Sequence, residues 1–192
     1  MDLATLHART VAEFVTRVEA VPDDAWDSAT PCTEWDVRAL VNHVVGEDRW
    51  TPPLLEGATI ADVGDRFDGD LLGADPVVAA RTAAAAAVAS VAERLPGGGL
   101  VHLSYGDEQM TEYVHQLSAD HLIHAWDLAA ATGGDVRLDP ELVAAMAPWF
   151  AEREELYRAA GVTGPRVDTD RDDAASQLLA GFGRDAGWSA AV

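Results

Sequence analysis

The stretch Ser118-Ala-Asp-His-Leu-Ile-His-Ala-Trp-Asp-Leu-Ala-Ala-Ala-Thr132 constrains this chain more than any other. It reads as a helix with a carboxylate and an imidazole one turn apart. At about 100° per residue, Asp120 and His124 share a face. Leu117, Asp120, His124, Leu128 and Ala131 all fall within roughly 60° of Tyr113. The two polar groups thus sit inside an apolar stripe, where an unpaired carboxylate costs several kcal/mol. Something within the fold has to compensate it. Asp and His at i, i+4 are a workable pair of metal ligands. A direct Asp120–His124 ion pair, or a partner elsewhere in the core, would also serve.

The rest of the chain can bury such a helix. It has 192 residues, 48% of them hydrophobic, enough for one domain spanning 1–192 with a sizeable core. There are 13 Arg, no Lys and a formal net charge of −20. That charge argues against nucleic acid and anionic membrane surfaces as partners, since both would repel it. Cys32 is the one cysteine, so no internal disulfide forms, and a cytoplasmic setting is expected. No basic and apolar leader opens the chain, and no tract approaches the ~20 apolar residues of a membrane span. A monomer or homodimer is expected.

Leu3, Leu6, Thr10, Phe14, Val15 and Val18 give a first helix over 2–20, with His7 at the surface or half-buried. Thr33 and Asp36 resemble a capping box for a second helix over about 34–50. Val37, Leu40, Val41, Val44 and Val45 form its apolar face, with His43 on the flank and Glu47 one turn further on. Cys32 reads as a small packing residue, well away from His43 along the helix axis. Residues 51–74, with Pro52 and Pro53, read as an irregular connection with room for a short helical turn, of the length that often borders a functional site. Asp75-Pro76 starts a helix to about 95. An extended segment follows at 100–105, then the helix over about 108–132, closed by Gly133-Gly134. Asp139-Pro140 starts a helix to about 160, and a short helix covers 172–181. The tail through Trp188 packs on the helices; its glycines lack the spacing and the strand-helix setting of a nucleotide loop.

Three segments carry a family resemblance: Thr30-Pro-Cys-Thr-Glu-Trp-Asp-Val-Arg through His43, Asp120-His-Leu-Ile-His-Ala-Trp-Asp-Leu-Ala-Ala-Ala-Thr-Gly133, and Leu178-Leu-Ala-Gly-Phe-Gly-Arg-Asp185. They resemble the metal-binding domain of the mycothiol-dependent maleylpyruvate isomerases, in the DinB-like superfamily. The likeness is closest to stand-alone actinobacterial members described as metal-binding proteins. It implies an all-α, DinB-like four-helix bundle, up-down-down-up, with an additional short C-terminal helix. It also implies a divalent metal held by a histidine on the second helix and a Glu-x-x-x-His pair on a later one. By position, His43, Asp120 and His124 match these ligands, with Glu47 and Asp127 as supporting groups behind them. Aspartate in place of glutamate is one methylene shorter, so either the helix lies closer to the metal or a water bridges the gap. His102, His115 and His121 match no ligand position.

Two histidines and one carboxylate with open positions suit catalytic zinc and also non-haem iron. The resemblance implies Zn2+ foremost, with Ni2+ or Fe2+ as other occupants, and mycothiol as cosubstrate. An open zinc site generates a thiolate near neutral pH. Thiol-dependent transfer or isomerisation on a small electrophile is therefore the leading expectation. The isomerase proper carries a further C-terminal domain for which this chain has no room, which favours transfer. The alternatives are a non-catalytic metal-binding or metal-sensing module, with Glu47 as a fourth ligand that closes the site, and a metal-free helical interaction domain.

Overall fold

Helices dominate the computed structural model, which describes residues 1–189. In chain order they are α1 (Leu3–Glu19), α2 (Val37–Leu55), α3 (Ile60–Val63), α4 (Pro76–Arg94), α5 (Met110–Thr132), α6 (Pro140–Ala151), α7 (Glu154–Ala159) and α8 (Ala174–Gly181). Between α4 and α5 lies an antiparallel hairpin of β1 (Leu100–Leu103) and β2 (Gly106–Gln109). Aspartates cap five of the helices. Asp2, Asp36, Asp75, Asp139 and Asp173 accept from the backbone N–H of Thr5, Ala39, Val78, Glu141 and Ser176. Each satisfies an orphan donor and sets negative charge against the positive end of a helix dipole. Part of the chain's acidity therefore has a local structural use.

The helix singled out from the sequence, α5, is the central one. It joins three apolar clusters. Leu122, Ile123 and Trp126 meet Leu142, Met146 and Phe150 of α6. Ala125, Leu128 and Ala131 meet Phe14 of α1 and Val41 and Val44 of α2. Tyr113, Val114 and Leu117 meet Leu54 and Leu55 of α2 and Val101 of β1. Burying each of the larger apolar side chains stabilises the fold by about 1.5–3 kcal/mol. α4 packs on α1 and α2, with Ala80, Ala83, Ala84 and Ala87 buried at its inner face. The segment Pro76–Gly97 is long and apolar enough by composition to cross a membrane, which corrects the expectation that no tract approaches such a span. Its inner face is nonetheless committed to the core.

Several boundaries differ from expectation, each for a local reason. The cap of α2 is Asp36, not Thr33; its carboxylate accepts from Ala39 N at 2.7 Å. Pro52 and Pro53 do not end α2, which runs to Leu55. Burial of Leu54 and Leu55 holds this last turn, and Thr51 Oγ1 bonds back to the Glu47 carbonyl. α5 begins at Met110 because residues 106–109 pair with β1. The helix expected to run to about 160 breaks after Ala151. There the Arg153 side chain donates to the carbonyl of Trp149 and to Glu112 of α5. The short turn expected within 51–74 is α3, closed by a capping box of Thr59 and Asp62.

Candidate metal centre

α2 and α5 bring His43, Asp120 and His124 to one place. Asp120 stands between the two imidazoles, with Oδ2 3.3 Å from His43 Nε2 and Oδ1 3.2 Å from His124 Nε2. The two rings lie 5.4 Å apart by centroid, edge to face. One ligand atom from each of the three residues lies within 4.8 Å of the other two. Asp120 Oδ2 is buried, and the contact from His43 Nε2 at 3.3 Å is an ion pair without good hydrogen-bond geometry. A metal and a direct Asp120–His124 pair stood as alternatives in the sequence. Here the pair touches, and His43 also turns inward onto the same carboxylate. His124 is buried, but 29% of the Asp120 side chain stays exposed, so Asp120 opens on a cavity instead of lying sealed in an apolar stripe.

The electrostatics are organised around positive charge. Burial works to raise the carboxyl of Asp120, but His124 and His43 outweigh it and hold it well below the usual carboxylate range. Burial likewise opposes charge on His124 and His43. Asp120 overcomes this, raising His124 well above the ordinary histidine value and raising His43 as well. Glu47 lines the cavity but lies outside the converging set. Burial, and then the nearby Asp120, push its carboxyl up.

Asp127 decides which nitrogen of His124 faces this site. His124 Nδ1 donates to Asp127 Oδ2 at 2.8 Å, leaving Nε2 for Asp120. Asp127 is fully buried and is held in turn by Arg184, whose terminal nitrogen donates to Oδ2 at 2.9 Å and whose Nε donates to Oδ1 at 3.2 Å. Arg184 also donates to Cys32 Sγ at 2.6 Å. Cys32, His124 and Asp127 form a second group of close ligand atoms. The guanidinium of Arg184 already supplies the positive charge there.

Asp127 is one of the supporting groups expected from the sequence, but its partners Cys32 and Arg184 are not. Cys32 was expected well away along the axis of α2. The chain before α2 instead loops back, with Val37 N bonded to Ser28 O, Arg38 N to Trp26 O, and a bridge between Ala29 and Asp36. The loop sets Cys32 against Asp127 and lays Trp35 on His43, with centroids 4.6 Å apart. The tail, read as packing alone, carries Arg184 into the site, while Trp188 does pack on the cluster around α6. The signal was the Gly-Phe-Gly-Arg segment, a polar residue placed among packing residues.

A cavity of about 1310 Å³ opens in front of Asp120. It is bounded by α2, α5, the hairpin, α6, α7 and the tail. No residue of 51–74 lines it, so the long connection does not border the site as expected. Glu112 organises the far wall, accepting from Arg153 Nε at 2.6 Å, Tyr157 OH at 3.0 Å and Trp149 Nε1 at 3.1 Å. Its partners lie 37 to 45 residues away along the chain, and nothing local marked it.

The remaining histidines lie elsewhere. His102 pairs with Asp107 across the hairpin at 2.7 Å, and His115 stacks on Trp149. His121 is fully buried, bonded to the Leu117 carbonyl and 3.1 Å from Asp48. His7 is a correction, for it is fully buried beside His121 and not at the surface. Its place between Leu3 and Thr10 on the apolar period of α1 was the available signal.

Comparison with known proteins places the chain in a family. Residues 7–129 match the family described as the mycothiol maleylpyruvate isomerase N-terminal domain. The chain is 34% identical over 172 residues to two uncharacterized proteins of Mycobacterium tuberculosis, MT0763 and Rv0738, covering 86% of this chain and 82% of each of them. No solved structure gives a significant match. The matched span contains α2 and all of α5 through Ala129, hence His43, Asp120, His124 and Asp127, and on it the chain belongs to the mycothiol maleylpyruvate isomerase N-terminal domain family.

Proposed function

We propose that this chain holds a divalent metal, zinc foremost, on His43, Asp120 and His124, and uses it to activate mycothiol for transfer to a small electrophile. Ni2+ and Fe2+ suit the same donor set. The observation that carries the reading is Asp120, a carboxylate set between two inward-facing imidazoles so that one ligand atom from each of the three residues lies within 4.8 Å of the others. A buried carboxylate is costly unless a cation meets it, and a metal would supply that cation in place of the protons on the two imidazoles. The family description, a mycothiol maleylpyruvate isomerase domain, supports mycothiol as the thiol. With this reading goes a DinB-like four-helix bundle of α1, α2, α4 and α5, up-down-down-up.

A bound metal lowers the pKa of a thiol on it, so that the thiolate is present near neutral pH. The chain's own residues do the rest. Asp127 and Arg184 fix the tautomer and direction of His124. Trp35 covers His43 and shields that side of the site. Glu47, with its carboxyl raised by burial, is our candidate for taking up the thiol proton on a carboxylate oxygen. Three protein ligands leave positions open, whereas closed structural zinc sites take four and usually include cysteine.

Cobalt substitution tests the reading. Adding mycothiol to the cobalt protein is expected to produce a sulfur-to-cobalt charge-transfer band, which Asp120→Ala weakens or removes. A coordinatively saturated cobalt spectrum indifferent to mycothiol and other thiols would make the chain a non-catalytic metal-binding module.

A further inference from the structure

The cavity in front of Asp120 is larger than activation of a thiol requires. Its volume of about 1310 Å³ exceeds the ~300–1,000 Å³ usual for sites that hold one drug-sized ligand. The lining also includes the apolar side chains of Leu117, Ile123, Trp149 and Phe182. At the mouth stand Tyr105, Leu156 and Val162, exposed by 64%, 66% and 67%. Among the described residues only eight large hydrophobics are exposed, and these three converge on one opening from two separate segments, the hairpin tip and the α7 region. Exposed apolar groups that cluster at a cavity mouth mark a binding surface.

Charge narrows the class of ligand. Five carboxylates line the cavity: Glu47, Glu108, Glu112, Asp120 and Glu152. Its two guanidiniums are already engaged, Arg153 by Glu112 at 2.6 Å and Arg184 by Asp127 at 2.9 Å. The cavity wall therefore offers no free guanidinium to a carboxylate or sulfonate.

Resting on the thiol-transfer reading, we infer that the electrophile is an uncharged molecule with a bulky aromatic or alkyl body, seated against Tyr105, Leu156 and Val162 with its reactive carbon toward Asp120. Conjugate addition fits without any further reactant. The thiol S–H bond breaks, a C–S bond forms at the activated double bond, and the proton ends on the adjacent carbon.

The test uses two fluorescent probes that differ by one anionic group, N-phenyl-1-naphthylamine and its 8-sulfonate. On the full-length, metal-loaded protein, the uncharged probe is expected to bind at least about tenfold more tightly than the sulfonate. The triple variant Tyr105→Ser, Leu156→Ser, Val162→Ser should weaken the uncharged probe by about tenfold, with an unchanged far-ultraviolet dichroism spectrum. Equal binding of the two probes, no binding of either, or a folded triple variant that binds like the parent would overturn the inference. The cobalt–mycothiol band is read on the same preparation. Its absence beside selective, rim-dependent probe binding would overturn the thiol reading and leave the apolar site standing.

Discussion

His124 donates through Nδ1 to Asp127 across 2.8 Å, and this bond sets which edge of the imidazole meets Asp120. The carboxylate also keeps electron density on the ring, which makes Nε2 a better ligand. Asp127→Asn preserves shape but removes the charge, and leaves Arg184 facing a neutral amide. Metal affinity is expected to fall about 10- to 100-fold. Competition against a chromophoric chelator measures this, and an unaltered affinity would show that Asp127 serves packing alone.

The two groups of close ligand atoms share His124 and are separable by mutation. Cys32 Sγ is bound by Arg184 on the Nδ1 side of the ring, away from His43. Cys32→Ser is therefore expected to leave metal stoichiometry and affinity as they are, while His43→Ala lowers both. Equilibrium dialysis followed by elemental analysis distinguishes them. The opposite pattern would move the metal to Cys32, Asp127 and His124.

What the sequence showed of this site was what lies within one helix turn or one amphipathic period. Asp120 and His124 are four residues apart, so their common face followed from helix geometry alone. His43 and Glu47 share a side of α2 by the same rule, and the helical character of the chain follows from its caps and apolar stripes. Cys32, Trp35, Arg184 and Glu112 did not follow. The first two depend on a loop that folds back before α2, Arg184 reaches Asp127 across 57 residues, and Glu112 finds its partners in α6 and α7. Such contacts are set by tertiary packing, which local periodicity does not encode. Pro52 and Pro53 misled for the same reason, since burial of Leu54 and Leu55 overrides the cost of proline in α2.

Metal and stability should be coupled. A ligand that binds only the folded chain stabilises it by RT ln(1 + [L]/Kd), about 2.7 kcal/mol at a hundredfold excess over Kd. Calorimetric melting of the chelator-treated protein is expected at a lower temperature than that of the zinc-loaded protein, with recovery on adding zinc back. Binding should also release protons, because Asp120 keeps His124 and His43 more protonated than ordinary histidines until a metal displaces those protons. Apparent affinity then falls as pH is lowered. His124→Ala should abolish the thermal response, and a melting curve insensitive to chelator on protein shown to carry metal would mark the site as incidental.

His7 makes the chain less stable than it need be. It is fully buried, and neither ring nitrogen has a hydrogen-bond partner. An unsatisfied buried polar group costs about 1–3 kcal/mol. Burial first, and then the neighbouring His121, push its pKa down to about 3. Between that value and the ordinary histidine value of about 6.5, the unfolded chain binds a proton at this position that the folded chain does not. Stability attached to His7 is therefore fully present above pH 6.5 and is lost as the pH falls from there toward 3, by at most about 1.4 kcal/mol per pH unit. His7→Leu removes both the orphaned nitrogens and the titration while keeping an apolar side chain on the inner face of α1. It is expected to raise unfolding free energy at pH 7.5 by about 1–3 kcal/mol, and to flatten the decline between pH 6.5 and 4. Urea unfolding of parent and variant, both in chelator so that metal does not contribute, gives the two quantities directly. A variant that is less stable at pH 7.5, with a decline as steep as the parent's, would show that the His7 ring is satisfied within the core and contributes to it.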